Sequence, residues 1–282
     1  VRRCAGPAAI LFALLVLRPV TAPGGEEQPR EIGDQNWRRG SKPLDHADLE
    51  HLARGGGYMG GTTREEIRKN PELAANLKNN GLEMIDAIGD PKTDMQAMLL
   101  KDLRTGQVHV VFRGTEPTKV GDLKTDAGAL RPSIYGVGYS QYNDKANRKQ
   151  LDQWATQYAG RITVTGHSLG GALAQRFIAD HPDAVQKAAL FNSPAVDHLT
   201  AERTGGKNLP PITYYRHPDD LVDKAAGKHL RGEVINVTRP AGQGILARHS
   251  DAMWQGREGI KMEKLSFDAS QQPGIGAEER KG

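Results

Sequence analysis

The sequence holds one cysteine, Cys4, in 282 residues. A disulfide framework is therefore excluded, and so is a metal site built from clustered thiolates. Aromatic residues make up only 5%, and no basic block is interleaved with them, so nothing supports nucleic-acid binding. Charge of one sign is not in excess either. Three of the 38 basic residues lie in residues 1–22, where there is no acid, which leaves 35 against 34 acidic residues in the remainder. Long apolar runs are missing as well. The longest, "AAILFALLVL" (Ala8–Leu17), falls short of the roughly 20 residues a membrane-spanning helix needs.

That run nevertheless has a context. Arg2 and Arg3 precede it, and the small residues Val20 and Ala22 follow it. A basic start, a short apolar middle and a small-residue end predict a secretory signal peptide over residues 1–22. A secreted or periplasmic protein is then expected, with a membrane anchor as the alternative. Cys4 lies before the apolar run, where a lipid-anchor cysteine would not be. Residues 23–42 are polar with Gly and Pro and read as a flexible linker. Residues 43–262 read as one domain. Residues 263–282 read as a disordered polar tail.

Within the domain, residues 44–90 are read as helical. "LDHADLEHLAR" and "TREEIRKNPELAANLKNNGL" place apolar residues three to four apart, with Asn80-Gly81 as a stop. "MQAMLLKDLRTGQVHVVFRGT" predicts two strands around an Arg-Thr-Gly turn. "RITVTG" predicts a strand, "GALAQRFIADH" a helix, and "KAALFNS", "ITYYR" and "EVINVTR" three further strands. Strands alternating with helices predict an α/β fold, a mostly parallel central sheet flanked by helices, here with an N-terminal helical extension.

The chemistry is concentrated at Gly166-His167-Ser168-Leu169-Gly170. This is a G-x-S-x-G pattern between a predicted strand and a predicted helix, the setting of a nucleophile elbow. The five-residue pattern is weak alone, since a chain with 33 glycines matches it by chance. The strand–turn–helix setting and the further Gly171 make it specific. A glycine-rich turn with an incidental serine is the bland alternative.

A serine hydroxyl needs a base and a group that orients the base. In this fold the acid follows the serine along the chain, and the histidine comes last. "ITYYRHPDDLVDK" offers Asp219, Asp220 and Asp223 after a strand. "EVINVTRPAGQGILARHSDAMW" offers His249 after the final predicted strand. Asp197, one strand earlier, is the rival acid. The histidines at 46, 51, 109, 167, 181, 198, 217 and 229 have no partner pattern and read as surface or core residues. No spaced His/Cys cluster and no phosphate-cradling glycine loop is present, so no metal or organic cofactor is implied.

Six pieces in order, "VHVVFRGT" (Val108–Thr115), "GDLKTD" (Gly121–Asp126), "VTGHSLGGALA" (Val164–Ala174), "LFNSP" (Leu190–Pro194), "HPDDLV" (His217–Val222) and His249-Ser250, resemble the fungal-type, or class 3, lipase family of the α/β-hydrolase superfamily. The resemblance covers roughly residues 95–255. It implies the α/β-hydrolase fold and a carboxylic-ester hydrolase of lipase or phospholipase type. It favours Asp220 over Asp219 as the acid of a Ser168–Asp220–His249 triad. It assigns the oxyanion hole to Thr115, through its backbone N–H and hydroxyl, and to the backbone N–H of Leu169. The expected partners are a lipid or ester substrate and, transiently, a membrane surface.

Two features depart from that family. It has a histidine-glycine-aromatic element after the lid region, whereas "YGVGYSQY" (Tyr135–Tyr142) has Gly136 at the histidine position. The segment after Thr115 is also polar, with only Val120, Leu123 and Leu130 as large apolar residues. An apolar lid underside is not encoded there, so a phospholipid or a more soluble ester is expected rather than bulk triglyceride. Another serine hydrolase, a thioesterase or peptidase, or a non-catalytic binding relative of the same fold are the alternative readings.

Overall fold

The computed structural model describes residues 43–56, 61–114, 136–205, 207–218, 220, 227–238 and 261–265. The expected signal peptide and linker, and residues 266–282 of the expected tail, lie outside these. Among the described residues no helix is long and apolar enough to cross a membrane.

The chain enters through short helices whose starts are written in their capping residues. Helix α1 (His46–His51) opens on an Asp45/Asp48 capping box and runs straight into a π-helical turn, Leu52–Gly56. Helix α2 (Arg64–Lys69) opens on a second box, Thr63 with Glu66. Helix α3 (Pro71–Asn79) starts with the Asn70 side chain accepting from the Leu73 N–H and with proline in its first turn. The helical reading holds to this point, and the stop falls where it was expected. Asn80 ends α3, and Gly81 follows in the left-handed region at φ 67°.

Residues 82–90 correct the sequence reading. They form strand β1 (Leu82–Asp90), not helix. The register of β1 on its neighbour slips between Met84 and Asp86, a bulge that leaves Ile85 unpaired. One extra residue breaks the two-residue alternation, so the apolar spacing imitates a helix.

Strands β2 (Met95–Asp102), β3 (Val108–Phe112), β4 (Ile162–His167), β5 (Val185–Phe191), β6 (Ile212–Arg216), β7 (Glu233–Thr238) and β8 (Lys261–Lys264) complete an eight-stranded sheet. Each strand lies beside its predecessor, in the order β1 to β8. Strands β3 to β7 are mutually parallel, while β1–β2, β2–β3 and β7–β8 are antiparallel. Strand β8 carries the sheet past residue 262, where the sequence reading ends the domain. Its four residues are all exposed, so it has no apolar pattern and is held by backbone pairing to β7.

The remaining helices among the described residues are α4 (Tyr139–Asn143), α5 (Lys145–Gln157), α6 (Leu169–Asp180) and α7 (His198–Glu202). Strand order decides where they go. Crossovers between parallel strands are right-handed, and here every step from β3 to β7 moves in the same direction. All crossover helices must then fall on one face of the sheet. Val110, Phe112, Val164, Leu190 and Tyr214 point to that face and pack with Trp154 of α5 and Phe177 of α6.

Among the described residues, the N-terminal helices cover the other face. Leu52, Ile67, Leu73 and Leu77 pack there on Met98, Leu100 and Val111. Leu49 and Ala53 pack on Ala189, Phe191 and Val237. Asp86 ties both layers to β1, accepting from Arg64 Nη2 at 2.6 Å on one side and from Trp154 Nε1 at 3.0 Å on the other.

Candidate active site

Ser168 stands between the end of β4 and the first residue of α6 with φ 54° and ψ −129°, a conformation a side-chain-bearing residue rarely adopts. The glycines around it are required by contact. A Cβ on Gly166 would meet the Gly170 carbonyl oxygen at 2.2 Å, one on Gly170 would meet the Phe112 carbonyl oxygen at 2.3 Å, and one on Gly171 would meet Ser193 at 2.5 Å. The Ser168 N–H donates to the Phe191 carbonyl at 3.0 Å, which anchors the turn to β5. The hydroxyl does not cap α6, although an N-terminal serine commonly does. Leu169 is the first residue of α6, so its N–H has no acceptor within the helix and faces the same end as the helix dipole's positive pole.

The strand ends beside the elbow form a continuous edge. Asn192, directly after β5, has φ 43°, and its N–H donates to the Tyr215 carbonyl at 2.9 Å. Its side-chain Oδ1 accepts from the His217 N–H at 2.9 Å. Asn192 thereby joins the ends of β5 and β6, a role that no sequence pattern marks. Asp220 follows at this edge, almost fully buried, with its N–H donating to the His217 carbonyl at 3.0 Å. Ser168, Leu169 and Asp220 therefore share the carboxyl edge of the parallel strands, where ligands bind in open α/β sheets. Thr115, Asp219, Asp223 and His249 lie outside the described residues, as do residues 116–133, where the polar lid segment was expected.

The rival acid, Asp197, has other work. Its carboxylate accepts from the Thr200 N–H at 2.8 Å, capping α7, and from Arg176 Nη1 at 2.8 Å and the Thr200 hydroxyl at 2.7 Å. Burial alone would raise its pKa, but the Thr200 hydrogen bonds and the Arg176 charge hold it below the usual aspartate range.

The same pair explains the departure at Gly136, which has φ 69°. A Cβ there would meet the Asp197 backbone nitrogen at 2.8 Å and Arg176 Nη2 at 3.2 Å. The ion pair fills the space a side chain at 136 would need, and Arg176 holds the Val137 carbonyl with Nε at 3.1 Å and Nη2 at 3.0 Å.

Among the other histidines, His181 sits at the far end of α6 from Ser168, 3.0 Å from Asp152. Burial lowers its pKa, with Asp152 pulling the other way. His229 packs edge-on against Tyr214. His167, the variable residue of the elbow, is bound by Arg54 on the face opposite α6, with Nη1 and Nε2 2.7 Å apart.

A strained serine between a parallel strand and a helix, at the carboxyl edge of a mixed sheet, has the geometry of a nucleophile elbow. The model of the alpha/beta hydrolase fold matches residues 159–213, from the approach to β4 into β6. The fold is that of the alpha/beta hydrolases. A lipase of Caenorhabditis elegans, ZK262.3, is 32% identical over 153 residues, which are 48% of this chain and 42% of that protein. The chain thus spans about two fifths of that relative's length. Among solved structures, a fungal lipase aligns at a TM-score of 0.50 and 19% identity, over 82% of this chain and 88% of that one. The Rhizomucor miehei lipase–propeptide complex aligns at 0.45 and 18%, over 67% and 62%.

Proposed function

We propose that this chain is an α/β-hydrolase, a serine carboxylic-ester hydrolase of lipase or phospholipase type, with a Ser168–Asp220–His249 triad and an oxyanion hole formed by Thr115 and the Leu169 N–H. The observation that carries the reading is the conformation of Ser168, whose φ of 54° is a cost that a simple turn would shed by using glycine. The C. elegans relative, itself named a lipase, supports it.

His249 accepts the Ser168 proton as Oγ bonds to the ester carbonyl carbon. The carbonyl oxygen becomes an anion facing the N–H groups of Leu169 and Thr115. Asp220 orients the imidazole and stabilises its cationic form. His249 then gives the proton to the leaving alcohol as the carbon–oxygen ester bond breaks. Water, activated by the same histidine, attacks the acyl-enzyme and releases the acid and Ser168. Each oxyanion donor supplies on the order of 10²–10³ in rate.

The polar sequence of residues 116–133 favours a phospholipid or a soluble ester over bulk triglyceride. Ser168→Ala is expected to lower hydrolysis of a short p-nitrophenyl ester by more than about 10³-fold while the far-ultraviolet circular dichroism stays unchanged. A folded Ser168→Ala protein with wild-type turnover would overturn the assignment, and so would a wild-type chain that no fluorophosphonate labels.

A further inference from the structure

On the face of the sheet covered by the N-terminal helices, a buried polar chain leads to the elbow from behind. It starts at Glu50 of α1, whose Oε1 is 4.0 Å from Nε of Arg54. Arg54, in the π-helical turn, brings Nη1 to 2.7 Å from Nε2 of His167. The relative exposures are 2% for Glu50, 3% for Arg54 and 6% for His167. His167 is the residue before Ser168.

A guanidinium has donors only. Nε2 of His167 must therefore be the acceptor, and the imidazole proton sits on Nδ1. Burying a guanidinium is costly, and the Glu50 carboxylate stands at the limit of ion-pair distance. An apolar residue would cover the same surface at lower cost, as Leu52 and Ala53 beside it do. Pi-helical turns also concentrate at functional sites.

What His167 holds gives the contact a consequence. Its carbonyl oxygen is the atom a Cβ on Gly114 would meet at 2.6 Å, while Gly170 lies against the Phe112 carbonyl by the same measure, 2.3 Å. The end of β3 and the elbow are thus in backbone contact at two points. Gly114 leads directly to Thr115. The backbone of His167 is the joint between the strand that carries the nucleophile and the strand end that leads to the oxyanion donor.

We infer that Arg54 is a positioning residue for acyl transfer. It clamps the His167 ring in one tautomer and one rotamer, and so fixes Ser168 relative to the strand end before Thr115. It acts through His167 and touches no substrate. The inference rests on the ester-hydrolase reading above, and it makes residues 46–56 part of the catalytic apparatus as well as a cover for the sheet.

The test compares Arg54→Met, Arg54→Lys, His167→Asn and the double variant Arg54→Met/His167→Asn on a p-nitrophenyl ester. The ring ¹⁵N spectrum of His167 is recorded alongside. Arg54→Met is expected to lower kcat by about 10- to 100-fold with KM changed less than about threefold, the scale of a small misplacement of reacting groups. Arg54→Lys, with charge but no planar fork, recovers part of the loss. The double variant is no worse than its poorer parent, since both substitutions break one contact.

Should Arg54→Met not fold, Arg54→Met/Glu50→Gln, which leaves no buried carboxylate behind, takes its place. Should that also fail to fold, Arg54→Lys and His167→Asn decide. A kcat within about twofold of wild type in the folded variants, a loss confined to KM, or additive losses would each overturn the inference. The spectrum is independent of catalysis. A proton on Nε2 in the wild type overturns the inference whatever the activity, whereas an inactive wild type with the proton on Nδ1 defeats the ester-hydrolase reading and leaves the Arg54–His167 contact standing.

Discussion

Two buried arginines lie on opposite faces of the sheet, and the protein surrounds them differently. Arg176 of α6 meets Asp197, Thr200 and the Val137 carbonyl, all between 2.8 and 3.1 Å, and its guanidinium carbon lies 5.4 Å from the centre of the Tyr139 ring. Arg54 meets a carboxylate at 4.0 Å and an imidazole at 2.7 Å. The first is built like a rivet. It holds an irregular stretch and the start of α7 against α6 by a close ion pair and main-chain bonds. The second sets its guanidinium against the ring of the residue that precedes Ser168. Burial lowers the pKa of Arg176 from the arginine value, yet a guanidinium stays charged in proteins, and the depressed Asp197 is the partner that reports the pair. A buried charge can thus tie irregular segments together or hold one ring in place, and the partners it is given tell the two apart.

Removing one charge of the tight pair should have the largest effect on stability. Arg176→Met leaves Asp197 buried without its cation and is expected to cost about 3–5 kcal/mol, read from urea unfolding. A cost under about 1 kcal/mol would put this pair with the weak surface ion pairs.

Gly136→Ala tests the same clamp from its other side. It adds a Cβ at φ 69° and 2.8 Å from the Asp197 nitrogen, and should cost about 1–3 kcal/mol. Asn192→Ala leaves the buried His217 N–H without its acceptor, for about 1–3 kcal/mol, while Asn192→Asp keeps an acceptor oxygen and should cost less. Arg54→Met/Glu50→Gln removes both charges together and should stay within about 1 kcal/mol of the wild type. That small change, set beside the large one for Arg176→Met, would sharpen the contrast between the two arginines. Equal losses would erase it.

Acid provides a finer probe. The Asp197 pKa is depressed in the folded protein, so its stabilisation is fully present above the unfolded value near 3.9 and is lost as pH falls through the folded value. Taking away the Arg176 charge raises the folded pKa. The acid limb of a Tm-versus-pH curve should therefore move to higher pH in Arg176→Met. An unmoved limb would mean that the Thr200 hydrogen bonds alone depress Asp197.

Much of the architecture was legible in the chain. Strands β2 to β7 and helix α6 lie where the sequence places them, β2 to β4 as short, largely apolar or β-branched runs that are buried on both faces. Strand β1 was not, since the bulge at Ile85 destroys its period. Strand β8 was not, since it buries no side chain. At the candidate site, the elbow was readable from glycine spacing and its strand–helix setting. Asn192 and Arg54 were not. Asn192 acts through a hydrogen bond to a residue 25 positions away, and Arg54 through one 113 positions away. The one signal for Arg54 was the Glu50/Arg54 spacing of four among buried apolar residues, a pattern that more often marks a solvated pair.

The order of residues by itself determined the elbow. The turn at Ser168 is so tight that only glycine fits at 166, 170 and 171, and that requirement is local and readable in one dimension. The tertiary structure alone decided what stands behind the elbow. Sequential parallel strands send crossover helices to one face, the N-terminal helices pack on the other, and that packing brings Arg54 to His167. Close contacts within a turn are set by neighbours along the chain, whereas a partner far along the chain is set by the handedness of crossovers and the need to cover both sides of a sheet.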